Sequence, residues 1–369
     1  MGRSAGLRRV EHHGRKRGLE MKTEAGTAQS VLILAIETSC DETAVAVVKD
    51  GCEVLSSIIS SQIEIHRAYG GVVPEVASRK HVEVITLIIE EALSAAGIKP
   101  EQLTAVAVTQ GPGLVGALLV GVVAAKSLAL AWGKPLIGTH HIAGHIYANR
   151  LVSELQYPNM TLVVSGGHTE LVHMEREGEF RIIGRTRDDA VGEAYDKVAR
   201  ALGFPYPGGP HVDRLAREAA AAVPLPRVWL EHDSYDFSFS GLKSAVLNVV
   251  NQSKMKGLTP DVAGIARGFQ ESVVEVLVEK AVRAVRSCDA KQLLLCGGVA
   301  ANVGLRTALT SRCKAEGIEL IIPPPIYCTD NAAMIGAAAY VKWQHDGGTP
   351  LDMVADPGFS LEKWSVAAY

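Results

Sequence analysis

The sequence predicts an α/β protein made of two copies of one lobe facing each other across a cleft. Three observations carry this. First, two stretches read as hairpins: VLILAIETSCDETAVAVVKDG from residue 31 and MTLVVSGGHTELVHMEREG from residue 160 each place two apolar runs around a tight turn. Second, AVAVTQGPGLVGALLVGVVAAKSLAL from residue 105 and QLLLCGGVAANVGLRTALTSRC from residue 292 each read as strand, glycine turn, helix. Third, the order is the same in both halves, as an internal duplication would leave it.

The elements follow in chain order. Residues 1–30 are basic, polar and aperiodic, and are expected to be a disordered extension outside the fold. Residues 31–157 form the first lobe. Within it, ASRKHVEVITLIIEEALSAAG has helical periodicity and stops at Gly97. Residues 158–345 form the second lobe with helical inserts. One insert, DDAVGEAYDKVARALG, is expected to start at an Asp cap and close at Gly203, with Val191, Tyr195, Val198 and Leu202 along one side. FPYPGGP is a turn cluster, and DNAAMIGAAAYVKW is the last expected helix. Residues 346–369 are a tail with little pattern.

Composition narrows the class. The chain has 369 residues, 47% hydrophobic and 21% charged, with a net charge of −3. That suits about two globular domains and argues against a protein that coats nucleic acid; any such contact needs a local patch or helpers. Six cysteines occur, mostly in or beside apolar runs and with no Cys-x-x-Cys pair, so reduced, buried thiols are expected and a zinc ribbon is not. The longest apolar run is interrupted by Lys126 and follows a glycine turn, as a buried helix would. No membrane association and a cytoplasmic location are expected.

Glycine turns between strand and helix expose backbone N–H groups beside a helix N-terminus, a setting that suits phosphate. Gly111–Gly113 and Gly297–Gly298 have this form, and Ser165–Gly166–Gly167 can form an anion-binding nest. A single glycine turn usually only turns the chain; several in duplicated positions suggest a nucleotide held between lobes. Neither a Walker A sequence nor a dinucleotide fingerprint is present. Five acids have ordinary alternatives. Asp41 and Glu42 suit a solvated turn, Asp196 an ion pair with Arg200, Asp213 a pair with Arg214 or Arg217, and Asp330 a helix cap.

The segment THHIAGHIYANR sets His141 and His145 one helical turn apart, so both rings share a face. That spacing serves many metal sites, but the zinc-protease motif has a Glu beside its first His, where Ile142 stands here. Two His need a third ligand. Asp330 is the expected one, with His168 and Asp41 as rivals, and such a set suits iron or zinc.

Together, IETSCDET, GGVVPEVASRKH, GPGLVGALLVG, HHIAGH, VSGGHTEL, GEAYDKVARALG, YPGGP, FSFSGLK, GGVAAN and CTDNAAMI resemble the bacterial TsaD family, the tRNA N6-adenosine threonylcarbamoyltransferases once labelled glycoproteases. The likeness runs from about Leu32 to about Ala339 and leaves the basic extension outside. It implies an actin/Hsp70-like (ASKHA) double lobe. It implies metal-dependent transfer of a threonylcarbamoyl group from threonylcarbamoyl-adenylate to N6 of adenosine 37 in tRNAs reading ANN codons, with AMP released.

The resemblance maps the metal ligands onto His141, His145 and Asp330, with one Fe2+ per subunit expected and Zn2+ the alternative. It maps substrate binding onto Val163, Val164, Ser165, Gly166, Gly167, Asp196, Gly209, Asp213 and Asn302. It implies tRNA as partner, a TsaB-like paralogue, a TsaE-like ATPase, and a separate enzyme, TsaC, that makes the adenylate. An acyl transfer from an activated donor needs no base for water, which accounts for the missing Glu. Glu42 or Asp41 is the expected base for the N6 proton. Arg79, Lys80 and His81 form one local cationic group and Arg267 is another candidate for tRNA, with plain solvated surface residues the favoured reading. The competing readings are a metallopeptidase, a kinase of the same fold, and a non-enzymatic partner subunit.

Overall fold

A computed structural model describes residues 7–9, 30–231 and 233–364. In the first half, β1 (Leu7–Arg9), β2 (Leu32–Glu37), β3 (Glu42–Lys49) and β4 (Glu53–Ser61) lead into helices α1 (Ile63–Arg67) and α2 (Pro74–Ala96). Then come β5 (Ala105–Gly111), α3 (Val115–Trp132), β6 (Leu136–His140) and α4 (His141–Tyr147). The second half opens with β7 (Asn159–Val164), β8 (Thr169–Met174) and β9 (Phe180–Arg185). Helices α5 (Val191–Ala201), α6 (Gly209–Glu218), α7 (Ser240–Met255) and α8 (Val262–Ser287) precede β10 (Gln292–Cys296). The chain continues through α9 (Val303–Glu316), β11 (Glu319–Ile321), α10 (Pro325–Cys328) and α11 (Ala332–Asp346).

The duplication is explicit in the pairing. The first sheet runs β1-β4-β3-β2-β5-β6 and the second β9-β8-β7-β10-β11. In both, the hairpin strands pair antiparallel and the later strands add in parallel on the other side. Even the register shift recurs, at Val47/Val48 in the first lobe and Leu171/Val172 in the second. This is the actin/Hsp70-like double-lobe architecture. The edge strand β1 belongs to the basic extension; its other residues up to 29 lie outside the described ones.

Each sheet is covered on its outer face by its own lobe's helices. Helices α2 and α3 pack on the first sheet, and the second lies under a cluster rich in α8 residues. Helix α2 ends where expected, with Gly97 left-handed at φ 65°. Helix α3 is long and apolar enough to cross a bilayer, with mean hydropathy 1.9 over 18 residues. Its small-residue face (Ala117, Gly121, Ala125, Ala129) is buried against the lobe, while Val115, Leu119, Val123 and Leu130 are exposed.

The inner faces share one element. Met334 and Ile335 of α11 pack under the first sheet, while Ala337, Ala338 and Val341 pack under the second. Fully burying side chains such as Met334 and Ile335 is worth about 1.5–3 kcal/mol each. The alanine-rich sequence lets two sheets approach one helix, and a Cβ at Gly336 would stand 2.5 Å from Val48. Helix α11 falls within the stretch expected to form the second lobe, yet it is packed on the first sheet as well.

Three local expectations change. The Asp cap of α5 is not used: its N-cap is Ala190, because the Asp188 carboxylate instead accepts from Phe239 N at 2.8 Å and Ser240 N at 3.4 Å, tying down the start of α7. The patternless tail straps the two lobes, with Leu361 and Trp364 buried in the cluster under the second sheet and the Trp364 indole donating to Gly138 O of the first at 3.0 Å. The cysteines are all free, but only Cys296, Cys313 and Cys328 are buried and Cys52 is exposed.

Candidate metal centre and nucleotide cleft

Helix α4 starts where β6 ends, and His140 caps it. The His140 Nδ1 accepts from Ile142 N at 3.1 Å, and its Nε2 bonds the Phe359 carbonyl at 2.9 Å. Burial lowers His140 to about 3, so the ring is neutral and serves as a structural donor and acceptor. The cap turns His141 and His145 inward, both buried, with ring centroids 4.7 Å apart and edge-on. Gly144 lets α4 meet α11 closely: a Cβ there would stand 2.8 Å from Ile335.

That approach brings Asp330 to the histidines. Asn331, not Asp330, caps α11, accepting from Met334 N at 3.0 Å. Capping therefore does not account for Asp330, whose Oδ1 lies 3.1 Å from His145 Nε2 and 3.7 Å from His141 Nε2. One donor atom from each of the three residues lies within 4.8 Å of the others. Donors bound to one ion at about 2.1 Å stand roughly 3.0–3.4 Å apart, so the set is close to chelating spacing. Both His145 ring nitrogens are buried without a hydrogen-bond partner among the described residues, which a metal ligand would explain.

The electrostatics agree. Burial lowers His141, but Asp330 and Glu37 outweigh it and raise it to about 9. Burial raises Asp330, but the histidines outweigh it and hold it at about 2. His168 is lowered to about 4 by burial and by the neighbouring charges of His141 and His145, so the Ser165–His168 turn lies beside the cluster. His168 itself is not one of the converging donors.

Sequence reasoning missed Glu37. It ends β2 fully buried, with Oε1 accepting from Ser39 N at 2.5 Å, Oε2 accepting from the Thr109 hydroxyl, and Oε2 3.3 Å from His141 Nδ1. The available signal was a carboxylate closing an otherwise apolar strand in IETSCDET. Asp41 and Glu42 follow on the same turn. Burial, then Asp41 and Asp330, push Glu42 well above the usual carboxylate range, and Ser61 donates to it at 3.0 Å.

The glycine turns differ in what they offer. The first, Gly111–Gly113, is filled by the chain itself. Gly113 N donates to Pro357 O at 3.3 Å, Leu114 N to Ser39 O at 2.8 Å, and a Cβ on Gly111 would strike Asp356 O. In the second lobe Gly166, Gly167, Gly209 and Gly298 have open space where a Cβ would be. Ser165 closes its turn by accepting from His168 N at 3.0 Å, leaving Gly166 and Gly167 exposed. Val163 and Val164, by contrast, are fully buried, their side chains in the cores on opposite faces of β7. They support the turn from beneath and offer the cleft no surface.

The other expected binding residues gather at α5, α6 and α9. Asp196 makes no ion pair with Arg200; its Oδ1 accepts from Gly208 N at 2.6 Å and fixes the loop before Gly209. Arg200 instead reaches across the cleft to Gly70 O, and Arg67 donates to Tyr206 O at 3.3 Å. Asp213 accepts from Val303 N and Gly304 N, each at 3.4 Å, with Arg217 3.7 Å away. Asn302 caps α9 through Leu305 N at 2.8 Å and donates to Gln270 at 2.8 Å, a partner the sequence did not indicate.

The candidate tRNA cations do not form a patch. His81 is fully buried, bonded to Thr43 Oγ1 at 2.7 Å and to Cys40 O at 3.0 Å, and so braces the Asp41–Glu42 turn. Arg79, Lys80 and Arg267 are paired with Glu75, Glu83 and Glu271.

Comparison with known proteins gives a consistent result. Residues 53–337 match the family model described as TsaD, tRNA N6-adenosine threonylcarbamoyltransferase. Curated proteins of that name from Shouchella clausii (strain KSM-K16) and Geobacillus thermodenitrificans (strain NG80-2) are each 61% identical. The first alignment covers 90% of this chain and 99% of the relative, the second 90% and 98%. Among solved structures, full-length HypF in a phosphate- and nucleotide-bound form is similar with TM-score 0.57 at 15% identity, over 86% of this chain and 47% of that one. That last likeness is one of fold.

Proposed function

This chain belongs to the tRNA N6-adenosine threonylcarbamoyltransferase family, and on that premise we propose that its cleft holds threonylcarbamoyl-adenylate between the second-lobe glycine turns and the His141–His145–Asp330 cluster. The reaction moves the threonylcarbamoyl group onto N6 of an adenosine in tRNA, forming t6A. The observation that carries the site reading is the convergence of three donor atoms within 4.8 Å, beside the Ser165–His168 turn.

His141, His145 and Asp330 would hold one divalent ion, Fe2+ with Zn2+ as the alternative. Such an ion supplies Lewis-acid polarisation of the carbamoyl carbonyl. The chain's own groups do the rest. The open N–H groups of Gly166 and Gly167 orient the phosphate or carbonyl end. Asp196, through the Gly208–Gly209 loop it fixes, shapes the ribose side. Asn302 and Asp213 frame the adenine or phosphate at the start of α9. In the transfer, the N6–carbon bond forms and the carbon–oxygen bond to AMP breaks. The N6 proton passes to Glu42 or Asp41.

The near-neutral chain and its paired surface cations favour shared tRNA binding. A TsaB-like paralogue is the proposed partner for the exposed apolar stripe of α3 (Val115, Leu119, Val123, Leu130), and a TsaE-like ATPase the second. We place the enzyme in the cytoplasm, with no membrane role for α3.

The test is transfer of labelled threonine from pre-formed threonylcarbamoyl-adenylate into tRNA, with and without the two partners. Label in tRNA with wild type and none with His141→Ala, with AMP released, is the expected result. Equal transfer by both proteins would remove the metal cluster from the reaction.

A further inference from the structure

The cluster's ligands are not equally supported. His145 has no partner for its remote ring nitrogen among the described residues. His141 Nδ1 faces two groups: Glu37 Oε2 at 3.3 Å and Ser39 Oγ at 3.1 Å. We infer that Glu37 is a positioning residue that fixes the tautomer and ring orientation of His141, and so selects which nitrogen is presented to a metal.

The argument is one of donors and acceptors. A carboxylate only accepts hydrogen bonds. Glu37 Oε1 takes the Ser39 N–H and Oε2 takes the Thr109 hydroxyl, so both oxygens are oriented from the strand side. The remaining approach to Oε2 is from His141, so the carboxylate favours the proton on Nδ1, where the Ser39 hydroxyl at 3.1 Å can accept it as well. Nε2, 3.7 Å from Asp330 Oδ1, is then the nitrogen that a metal can take once its proton is displaced. The fixed partners come from the β2–β3 turn and from β5, while His141 starts α4, so the first lobe sets the angle of the ring. Carboxylate–histidine pairs behind metal ligands act in this way, and their loss costs about 10–100-fold in metal affinity.

A glutamine at this position keeps the shape but reverses one half of the chemistry. Its amide can satisfy Thr109 or Ser39 with its oxygen, but then turns N–H toward a donor. If it faces His141, the ring must accept at Nδ1 and carry its proton at Nε2, which blocks that nitrogen as a ligand.

The inference rests on the cluster binding a metal, and the experiment separates the two. Zn2+ affinity is measured by chelator competition for wild type, Glu37→Gln, Thr109→Val and His141→Ala, with Co2+ absorption spectra and the melting temperature of the metal-free proteins. The expected result is tight wild-type binding, a 10–100-fold loss in Glu37→Gln, an altered Co2+ spectrum and a metal-free protein that still melts cooperatively, at a lower temperature because the Glu37–His141 pairing is gone. Thr109→Val should lose less, since the carboxylate stays. If wild type binds no better than His141→Ala, the metal reading itself fails. If wild type binds and Glu37→Gln binds equally, or binds less with an unchanged Co2+ spectrum, the positioning role is overturned. Should Glu37→Gln not fold, Thr109→Val decides: unchanged affinity and spectrum overturn the role.

Discussion

Asp330 Oδ1 stands 3.1 Å from His145 Nε2, yet that nitrogen makes no aligned hydrogen bond. The contact has the distance of a bond without its direction, as when two groups point at a common third point. Asp330→Ala should therefore remove metal binding by more than the roughly 100-fold upper figure for a supporting residue. The loss should be matched by His145→Ala. Metal content after dialysis against a weak chelator measures it.

The protonation of the cluster gives opposite pH trends for the metal-free and metal-loaded protein. His141 is raised from its ordinary 6.5 to about 9. Its contribution to metal-free stability is complete below pH 6.5 and is lost as pH rises through about 9. Asp330 is lowered from its ordinary 3.8 to about 2, so its contribution is present above pH 3.8 and is lost as pH falls towards 2. Their joint contribution is greatest between these limits. Metal must displace the His141 proton, so affinity should increase from pH 6 to pH 9 with proton release on binding. Melting curves with and without Zn2+ across that range check both signs.

Asp196 carries a loop besides the ribose-side role proposed for it. Its 2.6 Å bond to Gly208 N, a hydrogen bond to a charged group, is worth about 1.5–3 kcal/mol. Asp196→Ala should lower stability by part of that amount and raise the KM for the adenylate more than it lowers kcat. A denaturation midpoint read beside steady-state kinetics separates the two effects.

The cleft's far rim is held by two slender links, Arg67 to Tyr206 O and Arg200 to Gly70 O. Both arginines are exposed, so removing Arg200 should cost within about 1 kcal/mol of stability. It should instead speed hydrogen exchange over residues 63–73 and raise KM for adenylate. Unchanged exchange in Arg200→Ala would mean that the rim is held by other contacts.

Much of the fold was legible because its signals are local. Hairpins show as paired apolar runs and strand–glycine–helix units show as glycines after apolar strands, so the duplicated topology followed. What stayed hidden depends on partners far along the chain. Glu37 meets Thr109 and His141, 72 and 104 positions away, and nothing near it announces them. Helix α11 lies in the second half but fills the inner face of the first sheet, a choice made by fit. His81 was legible and misread. RKH looks like a surface charge group, but His81 continues the buried stripe Ala77, Ile85, Ile88, Ala92 of α2. Asp330 and Asn331 are both good caps, and only packing tells which one caps.

The strap formed by the tail has a consequence for biosynthesis. His140, which caps α4, is held by Phe359 O, and Trp364 anchors that stretch on Gly138 O. Asp330 also arrives late. While the chain is still emerging from the ribosome, the two histidines are made long before the residues that orient and complete them. A nascent or truncated chain ending before Phe359 would carry both histidines and all of its glycine turns, yet lack this brace on the start of α4. On the proposed metal reading, loading would then follow completion of translation.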